Sequence, residues 1–171
     1  FGNILNGDTG EAACDHYHRY REDIGLIREL GADIYRFSIS WNRIYPEKDR
    51  YNPSGMAFYR NLLKELKEKE IKACVTIYHW DLPQWAQNLG GWENRECVAW
   101  YLQFAEKLFE ELDDDVSMWI THNEPYCSGF LGYYKGEHAP GRKTPDGGLK
   151  AVHHLLLSHG KAVEMYRKKG G

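Results

Sequence analysis

An amide and a carboxylate that could do chemistry, Asn123 and Glu124, follow a short apolar run in the sequence. The run, residues 116–121, contains apolar and β-branched side chains and predicts a buried strand, while Pro125 prevents further regular pairing. Parallel α/β folds place their chemistry at the carboxyl ends of strands. Glu124 is therefore the leading candidate for a catalytic residue, although a glutamate before proline could also act only as a cap or as the partner of an arginine.

Two further predicted strands, over residues 33–40 and 73–78, also carry or end in polar and aromatic side chains. These side chains are Arg36, Trp41, His79, Trp80 and Asp81. Because the ends of parallel strands lie on one face of a sheet, we expect several of them to converge with Asn123 and Glu124. The sequence contains no phosphate-binding loop, nucleophile elbow or HExxH pairing. The set suits a neutral, hydroxyl-rich ligand better than a nucleotide.

Each of these candidates also has a plainer explanation in packing. His79 could be a core histidine with satisfied hydrogen bonds, and single tryptophans such as Trp41 and Trp80 more often pack than bind ligands. Arg36 lies in mid-strand, where we expect desolvation, so it needs an anionic partner. That partner could be a structural or a catalytic carboxylate.

Helices predicted between the strands must position these side chains. Apolar residues at helical spacing mark four helices, which cover about residues 15–30, 54–66, 94–112 and 152–163. We expect Ser54 to be the N-cap of the second helix, and a long loop to pass through residues 133–148 before the fourth.

This order of elements predicts an α/β fold with parallel strands joined by helical crossovers. No linker or low-complexity tract interrupts the pattern, so residues 1–171 are expected to form a single domain. Three strands cannot close a barrel, and they leave two unpaired edges. The sheet is therefore either small and open or part of a larger fold.

Composition excludes several classes of partner. The 171 residues carry a formal net charge of −3, which supplies no basic field for nucleic acid. No apolar run approaches the length of a membrane span. Nothing at the start of the sequence resembles a signal peptide, so we expect a cytoplasmic location, and the missing initiating Met predicts that the natural N-terminus lies upstream. The sequence leaves the oligomeric state open.

The cysteines and histidines predict neither disulfides nor a metal site. Cys14, Cys74, Cys97 and Cys127 are widely spaced and form no CxxC pair, so we expect reduced and mostly buried thiols. The cluster at residues 15–18 contains two histidines and an aspartate but lacks a further well-spaced set of ligands. We therefore expect no metal.

Several motifs together resemble glycoside hydrolase family 1, in order and over essentially the whole chain. They are Asp15-His16-Tyr17-His18-Arg19-Tyr20, Tyr35-Arg36-Phe37-Ser38-Ile39-Ser40-Trp41, His79-Trp80-Asp81-Leu82-Pro83-Gln84, Gly90-Gly91-Trp92, Asn123-Glu124-Pro125, His138-Ala139-Pro140-Gly141 and His153-His154-Leu155-Leu156-Leu157-Ser158-His159-Gly160.

The resemblance implies a TIM barrel of retaining β-glycosidases, with this chain as an incomplete (β/α)8 barrel covering roughly strands 2 to 4 and helices 1 to 4. It implies that Glu124 is the general acid/base of a hydrolase of terminal β-D-glucosyl or related O-linkages. His79, Asn123 and Trp80 would bind the substrate, a small β-glucoside or oligosaccharide, and Arg36 would orient the nucleophile. No cofactor is implied. Glu at this position favours O-glycosides, because the thioglucosidase branch typically has Gln.

Departures from the family pattern shape the expectation. Retaining hydrolysis needs two carboxyl groups about 5–5.5 Å apart, and the family's segment with the nucleophilic glutamate is absent, as is its first strand. We therefore expect the chain alone to be inactive and, with open strand edges, to be poorly folded or prone to association. A smaller departure is His122, where the family frequently has Phe. A 6-phospho-β-glycosidase of the same family and a non-catalytic, sugar-binding half-barrel remain alternatives.

Overall fold

The computed structural model describes residues 4–170 (for Leu5, the backbone alone). In that part of the chain, long helices alternate with strands as the sequence predicts. The helices are α1 (His16–Glu29), the short α2 (Trp41–Ile44), α3 (Pro53–Glu68), the short α4 (Gln84–Asn88), α5 (Glu96–Leu112) and α6 (Pro145–Lys168). The strands are β1 (Ile34–Ser38), β2 (Lys72–Tyr78) and β3 (Met118–His122), and a π-helix covers Cys127–Tyr134.

The three strands form one parallel sheet in the order β1-β2-β3, which confirms the predicted parallel α/β arrangement. The register places Arg36 beside Cys74 and Tyr78 beside His122. The N–H of Asn123 donates to the carbonyl of Tyr78 at 2.9 Å and continues the ladder beyond β3. Among the described residues, β1 and β3 each keep one edge without a partner strand.

The core contains a cluster of large aromatic side chains close to the carboxyl ends of the strands. Trp41, Trp92, Tyr101 and Phe104 are all buried, and Trp41 stacks on Phe104 with ring centroids 5.3 Å apart. Aromatic pairs of this kind add to the stability gained from burial alone. The structure thus confirms that Trp41 is a packing residue.

Two helix starts differ from the prediction for local reasons. Helix α3 is capped by Asn52, whose Oδ1 accepts from the N–H of Ser54 at 3.2 Å, and Pro53 is the first helical residue, so the predicted Ser54 cap is wrong. Helix α6 begins at Pro145, inside the predicted loop. Gly148 in its first turn suits close packing rather than a turn, because a Cβ there would lie 2.5 Å from Cβ of Tyr134.

Part of the predicted long loop forms the π-helix, which packs against α6. A Cβ on its Gly129 would lie 2.3 Å from Cγ2 of Val152, so a glycine is needed at the contact. Tyr133 anchors the same element, since its hydroxyl donates to Oε1 of Gln87 at 2.8 Å and accepts from the N–H of Trp92 at 3.1 Å. The segment after Glu124 is therefore fixed by packing that the sequence pattern does not reveal.

The cysteines and the histidine cluster are in simple environments. All four thiols are free; Cys74 and Cys97 are buried, whereas Cys14 is exposed. Nδ1 of His16 pairs with Asp23 and Nδ1 of His18 with Asp15, each at 2.6 Å. Within residues 4–170 there is no group of three or more potential ligands that could hold a metal ion, nor a helix long and apolar enough to span a membrane.

Candidate active site

Three of the predicted site residues are joined by hydrogen bonds across the ends of the three strands. Nη2 of Arg36, from β1, donates to Oδ1 of Asn123 at 2.7 Å. Nε1 of Trp80, just after β2, donates to the backbone carbonyl of Asn123 at 3.0 Å. The predicted convergence of these strand ends is present, and Asn123 lies at its centre.

Arg36 differs from the expectation that it would be desolvated and paired with a carboxylate. Its side chain lies on an exposed face, and its partners are neutral, with Nε donating to Oγ1 of Thr76 at 3.1 Å in addition to the bond to Asn123. Within the described part of the chain it forms no ion pair. In the described residues, the partners of Arg36 are thus a hydroxyl and an amide.

His79 and Trp80 extend from the end of β2 into solvent. His79 is exposed, so the alternative of a core histidine is wrong. Trp80 is 40% exposed and lies with its ring centroid 5.4 Å from that of His79 and 5.5 Å from that of His138. An indole that keeps this much surface in solvent is available to a ligand, unlike the buried Trp41.

Glu124 lies directly after the ladder and has an exposed side chain. Its Oε2 accepts a hydrogen bond from the thiol of Cys127 at 3.1 Å, and its carbonyl accepts from the N–H of Cys127 at 2.9 Å. The hydrogen bond that the thiol donates to Glu124, followed by desolvation and the charge of the carboxylate, raises the pKa of Cys127. Since the carboxylate forms no ion pair within residues 4–170, the alternative of an arginine partner is not realised there.

Two of the clustered residues have a left-handed backbone, which side chains other than glycine rarely adopt. Trp80 has φ 78° and Glu124 has φ 42°. Such conformations cost on the order of 1–3 kcal/mol each and concentrate at functional sites. The strain at these strand ends therefore supports a functional role for both residues.

A cavity of about 500 Å³ opens beside the cluster. Its walls are formed by the end of β2, by α4, by the start of the π-helix and by the loop around residues 138–140. Trp80, Asp81, Cys127 and His138 are among the lining residues, and Cys127 connects the cavity to Glu124. Aromatic and apolar walls with a few polar groups are typical of small-molecule sites.

Behind the exposed cluster, His122 is buried in the aromatic core. Its Nε2 lies 2.9 Å from Oγ of Ser158, and its ring stacks on Tyr101 with centroids 4.5 Å apart. Desolvation lowers the pKa of His122 to about 3, with a smaller effect of the same sign from His159. His122 is thus a neutral side chain that packs through its ring and forms one side-chain hydrogen bond.

Sequence reasoning missed three residues that contact the predicted ones. Thr76 holds Arg36, Cys127 donates to Glu124, and His138 lies beside Trp80. Thr76 lies two residues along β2 from Cys74, the register partner of Arg36, so strand periodicity offered a signal for it. No spacing rule places Cys127 or His138 at these contacts, because their positions depend on the π-helix and the loop that follows it; His138 is noticeable in the sequence only through the motif at residues 138–141.

The chain is similar to a large group of known proteins. The family model of glycosyl hydrolase family 1 matches residues 1–170. Beta-glucosidase A of Acetivibrio thermocellus is 49% identical over 168 residues, covering 98% of this chain and 38% of that protein. Beta-glucosidase 42 of Arabidopsis thaliana is 46% identical over 173 residues, covering 98% of this chain and 35% of that protein.

Solved structures give the same result. A family 1 beta-glucosidase from Exiguobacterium antarcticum superposes with a TM-score of 0.97 at 56% identity, covering 98% of this chain and 38% of that one. A beta-glucosidase from Thermotoga maritima, solved in complex with isofagomine lactam, superposes with a TM-score of 0.95 at 49% identity and the same coverage. The chain spans little more than a third of the length of these proteins, and its parallel sheet with helices corresponds to part of their α/β barrel. It belongs to glycosyl hydrolase family 1.

Proposed function

We propose that this chain is the portion of a retaining β-glycosidase that contains the acid/base glutamate, and that Glu124 is this residue. The whole enzyme would hydrolyse terminal β-D-glucosyl or related β-glycosyl O-linkages. The observation that carries the proposal is the junction of three strand ends at Asn123, next to a strained and exposed glutamate, in a chain of this family. The strands β1 to β3 would be the second to fourth of the eight in the barrel.

The proposed chemistry uses Glu124 twice. As a carboxylic acid it would protonate the glycosidic oxygen while a second carboxylate attacks the anomeric carbon. As a carboxylate it would then take a proton from the water that releases the glycosyl-enzyme. The exposed position of the side chain supports both steps, since the leaving group and the water each need to reach it.

Arg36 would orient the nucleophilic carboxylate. Its guanidinium is fixed by Thr76 and Asn123 but has no anionic partner in the described part of the chain. A cation prepared in this way suits a carboxylate contributed from the remainder of a longer enzyme, and the relatives that match this chain are longer. Without that carboxylate, the 171-residue chain is predicted to be inactive.

The glycone would be held by His79, Asn123 and Trp80. An imidazole and an amide can each donate to and accept from sugar hydroxyls, and both project at the ends of neighbouring strands. The exposed indole of Trp80 offers an apolar face for the CH groups of a pyranose ring. The substrate class we propose is a small β-glucoside or oligosaccharide, bound without a metal or an organic cofactor.

The test is the dependence of the Glu124→Gln variant on the leaving group, measured in the complete enzyme. Turnover of cellobiose, whose leaving group needs protonation, should fall about 100-fold or more, because general acid catalysis contributes at least this much. Formation of the glycosyl-enzyme from a dinitrophenyl glucoside should change far less. The control is Glu137→Gln, which removes an exposed carboxylate from a nearby loop.

Unchanged cellobiose turnover in Glu124→Gln would overturn the role of Glu124. A complete protein that binds glucosides without hydrolysing them would instead favour the sugar-binding alternative. Preferential hydrolysis of 6-phosphoglucosides would keep the mechanism and change the substrate.

A further inference from the structure

We propose that Cys127 is a positioning residue for Glu124, and that its thiol selects which carboxyl oxygen carries the catalytic proton. This inference rests on the proposed function of Glu124. It concerns the hydrogen bond from Sγ of Cys127 to Oε2 of Glu124, at 3.1 Å. Within residues 4–170, no other side chain donates a hydrogen bond to the carboxylate of Glu124.

The bond fixes the identity of the proton-bearing oxygen. A thiol donates weakly to a neutral or ionised carboxyl oxygen. In the acid form of Glu124, the oxygen that accepts the S–H bond is the carbonyl oxygen, because the hydroxyl oxygen is the poorer acceptor. With Oε2 engaged by Cys127, the acid proton resides on Oε1, which remains free to deliver it to a leaving group.

Cys127 is held in place by the backbone around it. Its N–H donates to the carbonyl of Glu124 at 2.9 Å, and it is the first residue of the π-helix. That helix is packed on α6 at Gly129, where a Cβ would lie 2.3 Å from Cγ2 of Val152. The thiol therefore approaches Glu124 from a fixed element, and π-helical turns often occur at functional sites.

The position of the thiol also relates it to the neighbouring cavity. Cys127 lines the cavity of about 500 Å³, whereas Glu124 is not among the lining residues. Cys127 therefore contacts both the carboxylate of Glu124 and the cavity that Trp80 and His138 also line.

The first experiment measures the contact without any need for activity. Alkylation of Cys127 by iodoacetamide, followed by peptide mass spectrometry across pH in the complete enzyme, reports the thiolate fraction. The neighbouring carboxylate raises the pKa of the Cys127 thiol. Glu124→Gln should therefore lower the midpoint and accelerate alkylation at pH 8 roughly threefold or more. Cys14, which is exposed, serves as the internal standard, and Glu137→Gln as the matched variant.

The second experiment measures the role. In Cys127→Ala, kcat/KM for cellobiose should fall about fivefold, the effect of losing one ordinary hydrogen bond to the neutral acid form of Glu124. For a dinitrophenyl glucoside, whose leaving group departs without protonation, kcat/KM should fall less than about twofold. Cys127→Ser retains a donor and should restore most of the cellobiose activity. If Cys127→Ala lost activity only through misfolding, kcat/KM would fall equally for both substrates.

The outcomes separate this inference from the proposed function. An alkylation midpoint of Cys127 that is identical in wild type and Glu124→Gln would overturn the contact, whatever the activity of the enzyme. Equal losses on both substrates in Cys127→Ala, or no rescue by Ser, would overturn the positioning role. A complete enzyme without any glycosidase activity would overturn the proposed function, while the alkylation result would still decide the contact.

Discussion

Two adjacent residues at the end of β3 lie in opposite environments. His122 is buried in the aromatic cluster behind the sheet, where it stacks on Tyr101. Asn123 lies at the junction of three strand ends, bonded to Arg36 and Trp80. The comparison shows that one strand terminus combines a buried packing residue with a half-buried amide that joins the strand ends, directly before the exposed Glu124. Changes to the first should alter stability, and changes to the second should alter binding and chemistry.

The largest difference in stability is expected between the alanine variants of two tryptophans. Trp41→Ala removes a buried indole that stacks on Phe104 and should lower the free energy of unfolding of the complete enzyme by about 3–5 kcal/mol. Trp80→Ala removes an indole that is 40% exposed and should reduce glucoside binding while changing stability by far less. Chemical denaturation and inhibitor binding measure the two quantities, and equal stability losses would contradict the division.

The second separation concerns the pH dependence of stability. His122 has a pKa of about 3 in the folded state because burial disfavours its charge, whereas an unfolded histidine titrates near 6.5. The unfolded state then binds more protons between these values, so the stability that His122 contributes is complete above pH 6.5 and falls as the pH decreases towards 3.

Replacement of His122 by Phe tests this sign. Relative to wild type, His122→Phe should be more stable at pH 4.5 than at pH 7 by about 2 kcal/mol, measured by urea unfolding. The matched variant is His153→Phe, which replaces an exposed histidine of the same chain. Parallel pH profiles of wild type and His122→Phe would show that burial does not lower the pKa of His122.

The smallest effect is expected for Thr76, which connects the buried core to the exposed Arg36. Thr76 is buried, and its Oγ1 accepts from Nε of Arg36. Thr76→Val preserves the shape but not the acceptor, and it should change stability by less than about 1 kcal/mol while lowering kcat/KM about fivefold through misorientation of Arg36. Thr76→Ser should behave as wild type, and a Thr76→Val enzyme with full activity would show that Arg36 needs no such support.

The sequence predicts the strands and helices that support the site better than it predicts the contacts of Glu124. A continuous apolar and β-branched run is sufficient to locate β2, which is buried on both faces, and an apolar stripe at helical spacing is sufficient to locate α5. The π-helix and the start of α6 escape this reasoning, since Gly129 and Gly148 are needed for close packing and not for turns. Whether a glycine is needed for close packing depends on residues that are near it in space but distant in sequence.

The same distinction applies to the candidate site. Glu124, Asn123 and Trp80 are found at strand ends because topology brings such ends together. The exposure of Arg36 and the bond from Cys127 to Glu124 could not be predicted, because they depend on which faces are covered and on the geometry of an irregular helix. Residue type and spacing indicate which side chains could act, and packing decides which neighbours modify them.

The most direct test of the central claim is rescue of a Glu124→Ala variant of the complete enzyme by sodium azide. Azide is an anionic nucleophile that needs no general base, so it should accelerate turnover of a dinitrophenyl β-glucoside many-fold and yield the β-configured glucosyl azide, identified by NMR. That product would establish Glu124 as the acid/base of a retaining reaction. Full activity without azide, or the α-configured azide, would contradict this role.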